Sequence, residues 1–177
     1  MIKKGAFIFW IMMLCVQNCV APQFSRSNIP WAKQIEWERI LQNSEQKYNT
    51  LSASNLLSYV RMFLGTSYHK SGTTLRGVDC SGFVMTVFKK ASNINLPHNA
   101  ALMYKQTIPI SLKKIRLGDL LFFENYKGKG ISHVGIYLID TKFVHASTSY
   151  GVTISCLTKN YYRQRFKGAR RIADFRL

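Results

Sequence analysis

The chain of 177 residues carries 25 lysines and arginines against 8 aspartates and glutamates, a formal net charge of +17 at pH 7. Such a balance favours an anionic partner. Nucleic acid is one such partner, but no zinc-finger, helix-turn-helix or aromatic RNA-binding motif is present, so the charge is only weak evidence for a nucleic-acid-binding protein. It predicts an anionic envelope polymer or a membrane surface as partner, while many of the basic side chains form an ordinary solvated surface.

The first residues have the pattern of an export signal. Two lysines precede an apolar run over 6–16. About eleven residues are too few to span a bilayer, so the run predicts a secretory signal. Cys19 follows, and together with Val16 it resembles a bacterial lipoprotein cleavage site. We therefore expect residues 1–19 to be a lipoprotein-type signal with Cys19 lipidated, and an ordinary signal with incidental cysteines is the alternative.

Residues 20–50 have the composition of a tether. Prolines and serines near the start suit an extended linker, and 31–48 is polar with scattered aromatic residues. A short helix over 35–41 is compatible with the composition of residues 31–48. Residues 51–177 then form one domain, expected to be monomeric and large enough to bury about two thirds of its unfolded surface.

The pattern of the domain predicts helices first and a sheet afterwards. Ser54 is the predicted N-cap of a helix over 55–64 that Gly65 ends, and Asp79 is the predicted N-cap of a helix that begins at Cys80. Because strands and helices do not alternate, the pattern indicates an α+β fold with an antiparallel sheet. The predicted strands cover 119–123, 132–139, 142–147, 152–155 and 168–173, with a short basic helix over 157–166.

Cys80 is the predicted nucleophile, since it stands at the start of a helix whose apolar positions 83, 84, 87 and 88 form one face. Free backbone N–H groups and the helix dipole favour the thiolate there and bring the pKa of a cysteine to about 3.5–7.5. A buried structural cysteine is the alternative interpretation. Without the signal, Cys80 and Cys156 remain beside Cys19, which is no disulfide framework for an exported domain. Cys156 is interpreted as a core residue.

Two histidines on neighbouring predicted strands complete the arrangement. Alternation over 132–138 puts His133 on the face opposite Val134. His145 lies in the next strand, and it shares that face only if the connecting loop has an odd length or a bulge follows. On one face, His133 would take the proton of Cys80 and return it to a leaving amine, while His145 holds the His133 ring. Backbone N–H groups at the start of the helix would meet the oxyanion.

Four segments of the chain stand in a characteristic order. They are Asp79-Cys80-Ser81-Gly82-Phe83, Gly118-Asp119-Leu120-Leu121-Phe122-Phe123, Ile131-Ser132-His133-Val134-Gly135-Ile136-Tyr137 and Phe143-Val144-His145-Ala146-Ser147. Between about residues 56 and 172 the chain thus resembles the NlpC family of papain-like bacterial cysteine peptidases, which cut peptidoglycan stem peptides. The likeness is to small lipoprotein murein endopeptidases without an added wall-binding domain.

The resemblance implies a papain-like fold in which the nucleophile helix packs on the sheet, with Cys80, His133 and His145 as the nucleophile, the base and the third polar residue. Tyr68 matches a family tyrosine whose hydroxyl helps to bind the oxyanion. Asp79 and Ser81 match positions that line the substrate cleft, and helix capping is their alternative or additional role.

Two stretches depart from the family pattern. Residues 69–71 replace part of the usual Tyr-x-x-Gly-Gly, and His98 replaces an arginine often found after Leu-Pro. Both are expected on cleft loops, so these departures concern substrate preference rather than the catalytic core.

The sequence therefore predicts a peptidoglycan endopeptidase without cofactor or metal ion, exported and lipid-anchored at the periplasmic side of a Gram-negative envelope. The bond cut is left open between D-Glu to diamino acid and D-Ala to diamino acid. One alternative is a zinc site of Cys80, His133 and His145, for which no ligand-spacing signature is present. Others are an inactive wall-binding protein and a same-fold amidase or acyltransferase that acts on another envelope amide.

Overall fold

The structure is a computed structural model, and it describes residues 29–125, 128 and 130–177. The predicted signal with Cys19 and the first part of the predicted tether lie outside the described residues. Within these ranges, no helix has the length and apolar character needed to cross a membrane. The elements in chain order are α1 (Trp31–Tyr48), α2 (Leu51–Phe63), β1 (Thr73–Thr74), β2 (Gly77–Val78), α3 (Cys80–Ser92), α4 (Ala100–Gln106), β3 (Ile108–Ile110), β4 (Leu120–Glu124), β5 (Ile131–Tyr137), β6 (Lys142–Ser147), β7 (Gly151–Cys156), α5 (Asn160–Arg165) and β8 (Phe166–Arg171).

The main sheet has the strand order β3-β8-β4-β5-β6-β7, and each neighbouring pair is antiparallel. Strands β1 and β2 form a small separate hairpin just before α3. The α+β class with an antiparallel sheet, predicted from the order of the elements, is confirmed.

The two faces of the sheet bury different sets of side chains, because successive residues of a strand point to opposite sides. On one face, Val134 and Val144 pack with α2 and α3 in the larger core. On the other face, Phe123 and Phe143 form a smaller aromatic cluster with Tyr162 of α5. The side chains of His133 and His145 lie on this second face, because His133 is paired with Phe123 and His145 is two residues from Phe143 on β6.

Helix α3 begins where the sequence predicted. The carboxylate of Asp79 accepts a hydrogen bond from the backbone N–H of Gly82 at 2.7 Å, which confirms the N-cap. The predicted apolar face is fully buried, since Phe83 and Val87 have no exposed surface. This packing fixes the first turn of α3, with Cys80, against strand β5 in the interior of the sheet.

Helix α1 corrects the tether prediction. The helix covers Trp31–Tyr48, well beyond the short stretch of 35–41, and Trp37, Ile40 and Leu41 are buried in the larger core. These three residues have helical spacing, but the polar residues between them dilute the pattern in the sequence. From Trp31 onward the segment is therefore part of the packed domain rather than a linker, and the domain does not begin at residue 51.

Helix α2 begins earlier than predicted. Its N-cap is Thr50, whose hydroxyl accepts from the Ala53 N–H at 3.1 Å. Ser54, the predicted cap, instead donates to the Glu45 carboxylate at 2.9 Å and so connects α2 with α1. The sequence also missed α4 and β3, which are short and lack a clear period.

Candidate active site

A groove with a volume of about 880 Å³ opens between α1, the first turn of α3, strands β5 to β7 and α5. Four of the predicted site residues line it: Tyr68, Cys80, His133 and His145. These residues lie up to 77 positions apart in the chain, so the groove is a product of the tertiary fold.

Cys80 is the first residue of α3 and is 9% exposed. Its thiol donates to the carbonyl oxygen of Ser132, with 4.0 Å between sulfur and oxygen. Ser132 directly precedes His133 on β5. The predicted nucleophile and the predicted base therefore lie on neighbouring elements and face one groove.

The loop between β5 and β6 meets the condition for bringing the two histidines to one face. Beyond the last strand residues, the N–H of Leu138 donates to the carbonyl of Lys142 at 2.9 Å and the N–H of Lys142 to the carbonyl of Ile139 at 2.7 Å, so three unpaired residues, 139–141, close the turn. An odd loop length keeps the parity that puts His133 and His145 on the same side of the sheet. One of the two geometries left open by the sequence is thus realised.

Gly135 makes room for His145. A Cβ atom at this position would lie 2.8 Å from the ring of Phe143 and 3.1 Å from the Cβ of His145. The Phe143 and His145 rings stack with 5.0 Å between their centroids. A residue without a side chain is therefore needed at this position for the close approach of β6.

The two imidazole rings are joined directly. Nε2 of His133 lies 2.9 Å from Nδ1 of His145. On its far side, Nε2 of His145 lies 3.0 Å from the Tyr162 hydroxyl and 3.1 Å from the Ser155 hydroxyl. A His133 base must keep Nδ1 unprotonated, so its Nε2–H donates to His145 and the Nε2–H of His145 donates to these oxygens. One tautomer of each ring satisfies every contact.

Burial lowers the pKa of His133 to about 4. Burial, together with the neighbouring His133, also holds the pKa of His145 well below its usual range. Both rings are therefore neutral near pH 7, which is the state that a general base requires.

The thiolate predicted for the helix start is not found. Burial raises the pKa of the Cys80 thiol, although the backbone N–H of Val134 and those at the start of α3 oppose this effect. Desolvation outweighs the helix start here because the sulfur is covered by β5 as well as by α3. In the free protein the thiol and the imidazole of His133 are thus both neutral.

Tyr68 is positioned by the segment that leads to α3. Its backbone forms an isolated parallel bridge with Val78, two residues before Cys80, and its side chain lines the groove. Burial raises the pKa of the Tyr68 hydroxyl, and the nearby Cys80 and Asp79 add to this effect. The hydroxyl therefore remains a hydrogen-bond donor at neutral pH.

Asp79 and Ser81 are joined to each other rather than to the groove, whose lining includes neither. The Ser81 hydroxyl donates to the Asp79 carboxylate at 3.1 Å. Both departures from the family pattern meet the same carboxylate: Nε2 of His98 lies 2.9 Å from it, and the Ser71 N–H donates to it at 2.9 Å. Burial alone would raise the pKa of Asp79, but the hydrogen bonds from the Gly82 N–H, His98 and the Ser81 hydroxyl outweigh this effect and lower it.

Sequence reasoning missed Ser155 and Tyr162. Ser155 is directly opposite Phe143 across the β6–β7 ladder, so strand alternation puts it on the histidine face. That pattern was available in the sequence, whereas the approach of Tyr162 from α5 was not. Cys156 is not the core residue that was predicted: it is half-buried, and its sulfur contacts the hydroxyls of Thr141 and Thr158 at 3.2 and 2.9 Å.

Comparison with known proteins identifies relatives. Residues 65–171 match the model of the NlpC/P60 family. The murein DD-endopeptidase MepS/murein LD-carboxypeptidase of Escherichia coli K12 is 35% identical over 141 residues, which cover 80% of this chain and 71% of that protein. The probable endopeptidase NlpC of the same organism is 41% identical over 108 residues, which cover 61% of this chain and 70% of that protein.

Comparison of the fold with solved structures also identifies NlpC/P60 proteins as relatives. A crystal structure of an NlpC/P60 family protein from Bacillus cereus superimposes with a TM-score of 0.62 at 32% identity, over 67% of this chain and 39% of that one. The region matched by the family model runs from the end of α2 to the end of β8 and contains Cys80, His133 and His145. On the agreement of sequence, fold and site, this chain belongs to the NlpC/P60 family.

Proposed function

We propose that this protein is a peptidoglycan hydrolase, a cysteine endopeptidase that cuts amide bonds of murein stem peptides or crosslinks. The observation that carries the proposal is the contact of 2.9 Å between His133 and His145 in the groove that Cys80 also lines. The relatives support the substrate class, since MepS is a murein DD-endopeptidase and LytE of Bacillus subtilis, 37% identical over 122 residues, is a probable peptidoglycan endopeptidase.

The reaction begins with proton transfer from the Cys80 thiol to His133. Because Nε2 of His133 is engaged by His145, Nδ1 is the nitrogen left for the thiol. The sulfur then attacks the carbonyl carbon of the peptide bond, and the carbonyl π electrons move to the oxygen. His133 returns the proton to the amine as the C–N bond breaks, and a thioester with Cys80 remains. Water attacks this thioester with His133 again as the base, which frees the acid and restores the thiol.

The reaction develops a negative charge on the substrate oxygen and a positive charge on His133, and different groups stabilise each. The oxyanion meets backbone N–H groups of the first turn of α3 and the hydroxyl of Tyr68, which lines the groove beside Cys80. The positive charge that His133 gains is stabilised by His145, whose Nδ1 accepts the hydrogen bond from Nε2–H of His133. The Nε2–H of His145 in turn donates to the hydroxyls of Ser155 and Tyr162, and such a chain of hydrogen bonds is mutually polarised. His145 thus acts as a positioning residue.

The proposal includes a place in the cell. An enzyme for murein acts in the envelope, and the signal pattern of residues 1–19 supports export with Cys19 as a lipid anchor facing the periplasm. In this view the monomer works on the wall from the membrane surface, and the basic surface favours anionic envelope components.

Digestion of purified sacculi tests the proposal. The wild type and Cys80→Ser are incubated with sacculi, and the released muropeptides are identified by mass spectrometry. Wild-type protein should release new fragments, and Cys80→Ser should release none while it unfolds at the same temperature. Cys156→Ser is the matched control, since it removes the other described thiol and should leave cleavage intact. Cleavage by Cys80→Ser at a near-normal rate would refute the proposal.

The masses of the fragments also decide which bond is cut. Release of crosslinked dimers as monomers identifies the D-Ala to diamino acid crosslink, and shortened stems identify the D-Glu to diamino acid bond. An amidase or acyltransferase acting on another amide leaves both sets of masses unchanged.

A further inference from the structure

Helix α1 supplies part of the wall of the groove. Lys33, Glu36 and Trp37 line it together with residues of the catalytic strands. This helix precedes residues 65–171, the part that the family model matches. One side of the groove is therefore built by a segment outside the matched domain.

Lys33 is held at the groove by two aromatic rings. Its ammonium lies 5.3 Å from the centre of the Trp37 ring and 5.4 Å from that of Tyr150. Trp37 is 5% exposed and so is fixed, whereas Tyr150 is 73% exposed on the turn between β6 and β7. Contacts of this kind orient an ammonium without neutralising it. Hydrogen-bond donors of Lys33 remain available to a molecule in the groove.

The electrostatic surroundings of Lys33 favour an anion. Among the described residues, no carboxylate lies within 4.0 Å of its ammonium. The groove is lined by four basic and two acidic side chains, and one of the acidic ones, Glu124, is paired with Lys167 at 2.8 Å. A groove of one predominant sign concentrates ligands of the opposite sign. The basic lining residues are Lys33, Lys142, Lys159 and Arg165.

The turn that carries Tyr150, the ring contacted by Lys33, begins shortly after His145 on β6. In the β6–β7 ladder His145 is opposite Thr153, and the last pair before the turn that carries Tyr150 is Ser147 with Gly151. Two strand residues correspond to about 7 Å, the length of about two residues of an extended peptide. A carboxylate close to the scissile bond could therefore reach this end of the groove.

We propose that Lys33 is a substrate-binding residue that recognises a free carboxylate of the peptide and so selects acidic muropeptides over their amidated forms. This assignment rests on the proposed function, since it takes a stem peptide as the occupant of the groove. It gives α1 a role in specificity that the matched domain alone does not contain.

Binding to an inactive background separates recognition from cleavage. Lys33→Met, Lys33→Arg and Lys47→Met are each introduced into Cys80→Ala, and their affinities are measured by calorimetry. The ligands are one muropeptide with free carboxylates and the same peptide with those groups as carboxamides. Lys47 is the matched control: it lies on the same helix, contacts the ring of Tyr48 at 5.7 Å and does not line the groove.

Lys33→Met should weaken binding of the free acid by about tenfold, the worth of one charge-assisted contact, and leave binding of the carboxamide nearly unchanged. Lys33→Arg and Lys47→Met should bind both peptides as the background does. Glu36→Gln should strengthen binding of the free acid, since it removes a negative charge from the same wall.

Equal loss on both peptides would assign Lys33 a merely structural role and overturn the proposal, as would an unchanged affinity of Lys33→Met. Cleavage by the Cys80 enzyme is followed separately. If that enzyme cuts neither peptide while Lys33→Met still loses the free acid selectively, the proposed hydrolase fails and the recognition by Lys33 stands.

Discussion

Nε2 of His133 lies 2.9 Å from Nδ1 of His145, across the paired strands β5 and β6. The contact fixes which nitrogen of His133 is free for Cys80, because the other is already engaged. It also gives the two histidines unequal surroundings: His133 lines the groove together with Cys80, and His145 contacts His133 on one side and the hydroxyls of Ser155 and Tyr162 on the other.

Removal of His133 should cost far more activity than replacement of His145 by Asn. His133→Ala deprives the thiol of its proton acceptor and the leaving amine of its donor, whereas the Asn amide can still bond to the His133 ring. We expect His133→Ala to lose about 10²–10⁴ in kcat/KM on a crosslinked muropeptide. The double variant should be little worse, because effects within such a unit are not additive. Equal damage from both single changes would show that the roles are assigned wrongly.

The hydroxyls behind His145 should matter jointly rather than singly. Tyr162→Phe and Ser155→Ala each leave one oxygen that can accept from Nε2 of His145, so each should lower kcat by about threefold or less. The double variant leaves that donor buried and unpaired, and should lose at least about tenfold, with KM little changed. Tyr104→Phe, on the opposite face of the sheet, is the control. Additive losses, or a change in KM alone, would contradict a positioning role.

Activity should persist into acid. The pKa of His133 is lowered to about 4 from an ordinary 6.5, so the neutral base is present down to about pH 4. The acid limb of kcat/KM should therefore have an apparent pKa near 4. An apparent pKa near 6.5 for the acid limb would contradict the burial of His133 in the structure. His69→Asn, an exposed histidine, should not move the limb.

The same histidines should make stability depend on pH. Their pKa values are lowered in the folded protein, so the unfolded chain binds more protons below about pH 6.5. Stability should be full above that value, fall as the pH decreases, and level off for His133 below about 4. The slope is at most about 1.4 kcal/mol per pH unit for each histidine, since each ring takes up at most one proton on unfolding. Urea unfolding of the wild type and of His145→Asn at pH 7, 6 and 5 measures it, and parallel slopes would exclude a share for His145.

Membrane attachment tests the predicted anchor. If Cys19 is lipidated, the mature protein should sediment with membranes, and Cys19→Ala should not. Lipoprotein processing attaches more than one acyl chain, which stable anchoring requires. Mass spectrometry of the mature N-terminus identifies the modification. Wild-type protein that is soluble and begins at another residue would exclude lipidation at Cys19.

The sequence by itself predicted the family, the α+β class and the residues proposed for the site. Asp79 as N-cap, the buried face of α3, the strands around His133 and His145 and the antiparallel sheet could be predicted, because capping, helical spacing and strand alternation act over a few residues. The order of these local patterns also carried the resemblance to the family, which the comparisons confirmed.

Only the tertiary structure decided the rest, because it depends on groups that are distant in the chain. Tyr162 reaches His145 from α5, and α1 joins the core through residues whose period the polar positions obscure. The thiol of Cys80 has a raised pKa because β5 covers it, an effect of desolvation that no spacing encodes. Local sequence thus specifies which groups can react, and the packing of distant elements decides their protonation, their orientation and the walls of the groove around them.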